Sequence, residues 1–383
     1  MIKKILVWAP IALLSAATAW GDVSLVEHRS LHKELAKAQT GARHSRTQPS
    51  LAHRQKQDVH ATGSQTLIDN SGFEYFINTD ITFSTSSSAS AAMSEASYTH
   101  AVAASTLNGG TVNSTLNDSF DGYNTLCLSL NNTVATCETG NANFVIYNQL
   151  GPATTECLGA TSGVNRQVVF PVQTNGNLQI QRKVFVPDND AFARWSNYFT
   201  NTGGAAQTVT MVIANNLGSD ANTVLVTSSN GNATAEVTDT WMTTFQNYSG
   251  TTSSDPRLGH VFQGPSAAVP LTGINFANGD DNPFWGYTFN LDPGETKIIL
   301  NFVVGRPSKA AAASAAAALA TSPPPANALQ CLSTQEQQEV ANFAGLGQPP
   351  VIGVPTLAPA GLAALVAGLL LAALVVFARR RTV

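Results

Sequence analysis

The chain has 383 residues, of which only 11% are charged, well below the roughly 25% usual for soluble domains. The charge is unevenly distributed: residues 22–64 carry seven Lys or Arg against four Asp or Glu, whereas residues 65–308 carry seven against 18. Because phosphate binding needs clustered Lys and Arg, the acidic central part argues against nucleic acid as a partner.

Residues 1–19 follow the three-part plan of a secretory signal peptide. Two lysines precede an apolar run from Ile5 to Leu14, and Ala17 and Ala19 supply the small residues of a cleavage site. No cysteine follows the run directly, which argues against a lipoprotein anchor. We therefore expect export and cleavage by signal peptidase.

Residues 20–64 form a basic leader that is rich in histidine. They contain five of the seven histidines, of which only His28 and His32 have a helical i, i+4 spacing. A metal site is one interpretation. We expect instead a mostly disordered polar segment in which residues 25–39 are transiently helical.

Residues 65–308 alternate between apolar and polar side chains and are bounded by turn residues, which predicts an all-β body. No stretch has helical periodicity beyond a couple of turns, so a βαβ sheet is excluded. Each strand must bury its apolar face, so we predict an antiparallel β-sandwich. The apolar faces are Leu178, Ile180, Val184 and Val186; Val209, Met211 and Ile213; Trp285, Tyr287, Phe289 and Leu291; and Ile298, Leu300, Phe302 and Val304.

Turn dipeptides separate these strands. Asn-Gly pairs at 108–109, 175–176, 230–231 and 278–279 favour the positive φ angles of tight turns. Two further turns, at 201–204 and at Pro293-Gly294, are expected to join successive strands. The first of these turns is similar to those of bacterial immunoglobulin-like surface modules, and a larger sandwich of the mutarotase type is the alternative architecture.

The four cysteines Cys127, Cys137, Cys157 and Cys331 fit two disulfides in an oxidising compartment, with three possible pairings. A Cys127–Cys137 bond would close a short loop, and a Cys157–Cys331 bond would tie the body to the segment before the C-terminal tail. Zinc binding by these cysteines is not expected, since no C-x-x-C spacing occurs.

The sequence contains none of the catalytic motifs that would predict an enzyme. The sequence lacks a G-x-S-x-G elbow, an H-E-x-x-H pair, a P-loop and an EF-hand loop. The body contains only His100 and His260, so a Ser-His-Asp triad would need one of them. We therefore predict no catalytic residue and no cofactor other than calcium.

Two acidic clusters are the calcium candidates. Asp188 and Asp190 follow a predicted strand end, and Asp280 and Asp281 follow an Asn-Gly turn. Clustered carboxylates suit Ca²⁺, but Asp is also an ordinary turn residue that caps its own backbone. A general acid–base pair for glycoside hydrolysis is disfavoured, because no apolar pocket that would raise one pKa is evident.

Six aromatic residues have two interpretations. They could form a sugar-stacking platform, or they could pack in the core, which the alternating strand pattern favours. The six are Trp195, Tyr198, Trp241, Tyr248, Trp285 and Tyr287.

Residues 309–345 are rich in alanine and proline. A helix is predicted over 309–320, ended by three prolines. Ser333 and Glu336 have capping-box spacing, which predicts a second, short helix that could dock on the body. Residues 346–355 then read as a Gly/Pro stalk.

The span 356–378 is an uncharged stretch of 23 residues, about 34 Å as a helix and therefore long enough to cross a bilayer. Arg379, Arg380 and Arg381 follow it and favour the cytoplasmic side, so residues 379–383 are expected inside. A single C-terminal transmembrane helix is the prediction, with short helices between it and the sandwich.

The tail resembles the IPTL-CTERM sorting signals of Gram-negative surface proteins, relatives of the PEP-CTERM tails. The resemblance rests on Val354-Pro355-Thr356-Leu357, on Gly361, and on the apolar helix with its terminal arginines. Val354 stands where the family usually has Ile, and residues 358–360 depart from its usual serine and acidic–tryptophan pair. The resemblance implies processing by a membrane enzyme of the exosortase class near Pro355-Thr356. The alternative is a plain membrane anchor.

Together these features predict an exported protein, anchored in the inner membrane facing the periplasm or sorted to the cell surface. The leading hypothesis is a non-catalytic structural or adhesive β-sandwich. The alternatives are a carbohydrate- or calcium-dependent binding module, with cell-surface polysaccharide as partner, and a polysaccharide-active β-sandwich enzyme.

Overall fold

The computed structural model describes part of the chain. The predicted signal peptide, most of the basic leader, the stalk beyond residue 346, the transmembrane span and the arginine tail lie outside the described residues. Within the described part, no helix is long and apolar enough to cross a membrane. The described ranges are 63–79, 89–102, 119–120, 122–137, 141–149, 153–219, 222–246 and 257–346.

Strands dominate the described residues, as the alternating pattern predicted. They are β1 Ser64–Ile68, β2 Phe73–Asn78, β3 Met93–Tyr98, β4 Gly122–Ser129, β5 Phe144–Ile146, β6 Thr154–Leu158, β7 Asn165–Val169, β8 Gln173–Asn175, β9 Leu178–Phe185, β10 Ala193–Asn201, β11 Gln207–Asn216, β12 Thr223–Ser228, β13 Trp241–Gln246, β14 Arg257–Val261, β15 Leu271–Asn275, β16 Phe284–Leu291 and β17 Thr296–Arg306.

These strands form two antiparallel sheets. The eight-stranded sheet has the order β1-β2-β3-β4-β11-β16-β15, with β5 beside β4. The nine-stranded sheet has the order β12-β13-β14-β17-β10-β9-β7-β6, with β8 beside β9. Aromatic contacts join the sheets: the rings of Tyr123 and Trp195 lie 5.6 Å apart, and those of Phe199 and Phe289 lie 5.4 Å apart. The predicted antiparallel sandwich-like body is confirmed.

The two predicted strand–turn–strand units are present, but the two strands of each unit are not hydrogen-bonded neighbours. The turn after Asn201 joins β10 to β11, and Pro293-Gly294 joins β16 to β17, but each turn connects strands of different sheets. Both strands of each pair face the shared core, so the chain crosses from one sheet to the other instead of folding back alongside itself. The two crossings meet, because the Asn201 amide donates to Glu295 O at 3.0 Å and the Gly294 amide donates to Asn201 O at 2.8 Å.

The Asn-Gly turns that the structure describes connect paired strands. Gly176 has φ 61° and lies between β8 and β9, which pair directly from Asn175 to Leu178. Gly231 and Gly279 also have positive φ, 78° and 80°, and lie between β12 and β13 and between β15 and β16, which are also paired. Positive φ is the conformation that glycine adopts without steric cost. The turn at 108–109 lies outside the described residues.

Residues 309–346, here called the C-terminal cover, pack on the face of the nine-stranded sheet that points away from the other sheet. Helix α1 (Lys309–Leu319) begins at Ser308, whose hydroxyl accepts from the Ala311 amide. A 3-10 turn (Ala326–Leu329) and helix α2 (Thr334–Glu339) follow. The capping box of Ser333 and Glu336 is formed.

The cover buries a second apolar cluster that is separate from the core between the sheets. On the strand side, β17 alternates: Ile299 and Val303 point to the core between the sheets, and Ile298, Leu300, Phe302 and Val304 point to the cover. From the cover, the ring of Phe343 contacts that of Phe302 at 5.7 Å. Members of this outer cluster include Phe185, Phe192, Ile298, Leu300, Phe302, Val304, Ala316, Leu319, Leu332, Val340 and Phe343.

Two disulfides close the structure. Cys127 is bonded to Cys137, on the outer side of the eight-stranded sheet beside Val212. Cys157 in β6 is bonded to Cys331 in the C-terminal cover, across a sequence separation of 174. No cysteine is free. The second bond therefore fixes the cover to the edge of the nine-stranded sheet.

Candidate functional site

A shallow pocket of about 160 Å³ lies beside the Cys157–Cys331 bond. It is smaller than the ~300–1,000 Å³ of most small-molecule sites. Its charged groups are Asp188 and Arg166. The other lining residues are Cys157, Leu158, Gly159, Ala160, Phe185, Pro187, Gln330 and Cys331.

Asp188 braces the loop that follows β6. Its Oδ2 accepts from the backbone amides of Thr161 at 3.0 Å and Ser162 at 2.5 Å. Burial opposes ionisation, but the hydrogen bonds from Ser162 and Thr161 outweigh it and hold the pKa of this carboxyl well below its usual range. Its other oxygen, Oδ1, is buried and has no hydrogen-bond partner in the part of the chain that the structure describes. Asp188 is therefore an ionised carboxylate with one oxygen unused.

Arg166 joins three chain segments at the pocket wall. Its Nε donates to Val186 O at 2.8 Å, and its Nη2 donates to Ile68 O. Burial lowers the pKa of this guanidinium, and the nearby Asp188 opposes that effect. Because these donors point at backbone carbonyls, Arg166 holds β1, β7 and the end of β9 together.

The carboxylates of the remaining calcium candidates also accept hydrogen bonds from nearby protein groups. Asp190 Oδ1 accepts from the Ala191 amide at 2.7 Å, and its Oδ2 accepts from Asn327 Nδ2. Asp280 Oδ1 accepts from the Asn282 amide at 3.0 Å, and Asp281 Oδ1 accepts from Asn282 Nδ2 at 2.6 Å. Within the described ranges, no group of three or more His, Cys, Asp or Glu side chains could hold a metal ion. Calcium binding stays a prediction.

His260 lies fully buried between the sheets. Its Nδ1 is 2.9 Å from Tyr123 Oη, and its Nε2 is 2.9 Å from Thr244 Oγ1. Burial lowers its pKa to about 3, so the ring is neutral at physiological pH. Both ring partners are hydroxyls, whereas a triad needs a carboxylate on one side. His100 is exposed and lies beside Thr99.

The aromatic residues pack in the interior, as the strand pattern favoured. Trp195, Trp285 and Tyr287 have no exposed surface, and Tyr198 is 8% exposed. Trp241 is half-buried, and Tyr248 lies outside the described residues. These four buried rings are therefore not available as a sugar-stacking platform.

A cluster of charges fixes helix α2 to the nine-stranded sheet. Lys183 Nζ lies 2.9 Å from Glu336 Oε1 and 3.4 Å from Glu156 Oε1. Tyr198 Oη donates to Glu336 at 2.7 Å. Burial works against ionisation of Glu336, but the bonds from Lys183, the Ser333 backbone and Tyr198 outweigh it and lower its pKa to about 2. The cluster attaches the C-terminal cover electrostatically.

The alternating pattern of β9 also contains a charged residue on its apolar face, which indicates a buried cation. Arg182 occupies the position between Ile180 and Val184 on the apolar face of β9, and it is fully buried in the core between the sheets. Its Nε donates to Asn197 Oδ1 at 2.9 Å, and its Nη2 donates to Asn124 Oδ1. A charged residue at an apolar position of an alternating strand was the feature that could have identified this group.

No protein-family model matches the chain, and no curated protein matches its sequence. Among solved structures, the Slr1438 protein from Synechocystis sp. PCC 6803 is 8% identical over 66% of this chain and 99% of that chain, with a TM-score of 0.34. A galactose mutarotase-like protein from Lactobacillus casei ATCC 334 is 10% identical over 63% of this chain and 99% of that one, with a TM-score of 0.32. Heparinase III is 13% identical over 64% of this chain and 37% of its own, with a TM-score of 0.31. Values this low carry no argument about the activity of this chain.

Proposed function

We propose that this chain is an exported surface protein whose β-sandwich has a structural or adhesive role without catalysis. The observation that carries the proposal is the Cys157–Cys331 disulfide, which bonds the body to the segment that precedes the C-terminal tail. Disulfides of this kind are typical of proteins outside the reducing cytosol.

The same bond suits a domain that is held by its C-terminal end. A pull on the tail reaches the C-terminal cover first, and the cover is attached to the sheet by the disulfide, by the outer apolar cluster and by the Lys183–Glu336 ion pair. Residues 332–346 are held by noncovalent contacts that include the ion pair and the outer apolar cluster, and at Cys331 the force passes into the sandwich through a covalent bond, so the earlier part of the cover stays attached.

The tail gives the proposal its cellular setting. We propose that residues 356–378 insert in the inner membrane with residues 379–383 in the cytoplasm, and that the sandwich faces the periplasm or the cell surface. Signal peptidase would act after Ala19, and an exosortase-type enzyme would act near Pro355-Thr356.

The test is the mass of the protein recovered from cells that export it. If the tail is a sorting signal, the wild-type protein should end near Pro355-Thr356 and lack the apolar span. Replacing both residues with alanine keeps the span hydrophobic, so the variant should accumulate uncut in the inner membrane. Replacing Val351 and Ile352 with alanine, just upstream, is the matched control and should leave processing unchanged.

Two outcomes would revise the proposal. An intact wild-type mass that includes Arg379–Val383, with no effect of the Pro355-Thr356 replacement, would reduce the tail to a passive anchor. Free thiols on the unfolded, unreduced protein recovered from cells would remove the disulfide observation and with it the exported setting.

A calcium-dependent binding module that recognises cell-surface polysaccharide is the alternative. It is favoured by the unused Oδ1 of Asp188, an ionised carboxylate at the edge of a pocket. If it is correct, calcium should raise the thermal unfolding temperature, and Asp188→Asn should abolish that rise. Asp280→Asn is the matched control at the other acidic turn. No response of the wild-type protein to calcium, together with no binding to a glycan array, would eliminate this alternative.

A further inference from the structure

Arg182 is a cation buried in the core of the sandwich, and none of its partners among the described residues is acidic. It has no exposed surface. Its partners in the described structure are the Asn197 and Asn124 amide oxygens and the ring of Tyr147, whose centroid lies 5.9 Å from the guanidinium carbon. All of these groups are neutral, so no contact within the described ranges balances the positive charge.

Two hydrogen-bond donors beside that charge are unused. Arg182 Nη1 and Asn124 Nδ2 are both buried and have no hydrogen-bond partner among the residues that the structure describes. The two side chains are joined directly, because Arg182 Nη2 donates to Asn124 Oδ1. The unused nitrogens therefore belong to two side chains that are in direct contact between the sheets.

Asn124 lies at an irregular point of β4, where the pairing with β11 shifts register between Ala214 and Asn216. Asn124 has φ 62° in the middle of β4, a conformation that is uncommon for residues other than glycine. Its amide donates to Asn215 Oδ1 at 2.9 Å, across to β11. The surroundings therefore hold Asn124 in this conformation.

A bare buried cation is energetically costly. Burial lowers the pKa of Arg182 to about 9, so the group is still protonated at neutral pH. A buried charge without a counter-charge or full hydrogen bonding costs several kcal/mol. Water would satisfy donors, but each water also brings two hydrogens that need acceptors. Both unused groups here are donors, which favours a species that only accepts.

We propose that the core of the sandwich binds a small inorganic anion, such as chloride, between Arg182 Nη1 and Asn124 Nδ2. The anion balances the guanidinium charge and accepts from both unused donors. It links β4 of the eight-stranded sheet to β9 of the nine-stranded sheet, and so acts as part of the fold.

The first test is the chloride dependence of unfolding by urea. The full chain, with its disulfides intact, is refolded in sodium gluconate and in sodium chloride at equal ionic strength. Anion binding to the folded state alone should lower the unfolding constant up to about tenfold for each tenfold rise in chloride. Equal midpoints in the two salts would overturn the proposal.

Variants assign the effect to the site. Arg182→Met should abolish the difference between the two salts. Asn124→Gly removes the amide and tolerates the positive φ, so it should weaken the effect even if Arg182→Met fails to fold. Arg194→Met is the matched control: Arg194 is also fully buried, but its donors have partners. It should keep the chloride dependence.

The second test locates the ion. Crystals grown with bromide in place of chloride should show an anomalous peak within hydrogen-bond distance of Arg182 Nη1 and Asn124 Nδ2. A peak there that is absent in Asn124→Gly supports the proposal. A water without anomalous signal at that place would overturn it.

Discussion

Among the arginines that the nine-stranded sheet buries, Arg182 and Arg194 lie on opposite faces and are stabilised differently. Arg182 lies on the inner face, where its partners are side-chain amides and two donors remain unused nearby. Arg194 lies on the outer face, where its Nη1 donates to Ala328 O at 2.7 Å and Gln330 O at 2.8 Å. Its other donors reach Ser196 Oγ and Gln167 Oε1.

The difference lies in what covers each face. The inner face meets another sheet, whose backbone groups are already used in strand pairing. The outer face meets the C-terminal cover, whose irregular turns leave carbonyls free for a guanidinium. An alanine- and proline-rich segment of linker-like composition is therefore an integral part of the fold, because it satisfies a buried cation.

The largest expected effect comes from breaking the bond that holds the cover. Replacing Cys157 and Cys331 with alanine should cost about 5 kcal/mol in the chain-entropy estimate, because the loop is long. Replacing Cys127 and Cys137, which are separated by 10 residues, should cost about 3 kcal/mol by the same estimate. Urea unfolding of the two double variants measures the difference. Equal losses would show that loop length does not govern these bonds.

The next largest effect compares the two arginines directly. Arg194→Met leaves the Ala328 and Gln330 carbonyls without their donor, which should cost roughly 3 kcal/mol. Arg182→Met also leaves amide oxygens unpaired, but it removes an unbalanced buried charge, a change that is often neutral. In chloride-free buffer, Arg182→Met should therefore cost less than half as much as Arg194→Met.

Equilibrium unfolding of both variants in sodium gluconate decides this comparison. Equal losses would mean that the inner arginine is balanced by a group other than an anion. A larger loss for Arg182→Met would reverse the assignment of the two faces.

The sequence predicted the periodic features of the fold. Alternation in β9, β11 and β16 identified the faces that are buried between the sheets, because a strand exposes its two faces in strict succession. The capping box at Ser333 was also predictable, because it depends on residues three positions apart. Both features depend on residues that are close together in the chain, so a single sequence is enough to predict them.

The features that depend on distant residues were not predictable. Which sheet each strand joins decides whether a turn is a hairpin or a crossing, and the turns after Asn201 and at Pro293-Gly294 look alike in either case. β17 buries both faces, so its Ile298–Val304 pattern did not show which face meets the other sheet. The acceptors of Arg194 come from the backbone of residues 328 and 330, which have no sequence signature.

A smaller loss of stability is expected on the inner face when acid protonates His260. The folded-state pKa of His260 is about 3, below its ordinary 6.5. Its contribution to stability is therefore complete above about pH 6.5 and is lost as the pH falls towards 3. At pH 5 the protein should be about 2 kcal/mol less stable than at pH 7.5 from this group alone. His260→Asn should lose this slope, and a slope that persists in the variant would assign it elsewhere.

The smallest loss of stability is expected on the outer face, where Glu336 is protonated at lower pH. The pKa of Glu336 is lowered from 4.5 to about 2, so its contribution is present above about pH 4.5 and is lost as the pH falls towards 2. Because Glu336 is partly exposed, solvent screening reduces the effect to the order of 1 kcal/mol.

Glu336→Gln is a sharp probe, since glutamine keeps the capping box but removes the charge that pairs with Lys183. Urea unfolding between pH 5 and pH 3 should show a shallower slope for the variant than for the wild type. Identical slopes would falsify the assignment and leave the outer cluster and the disulfide as the attachments of the cover.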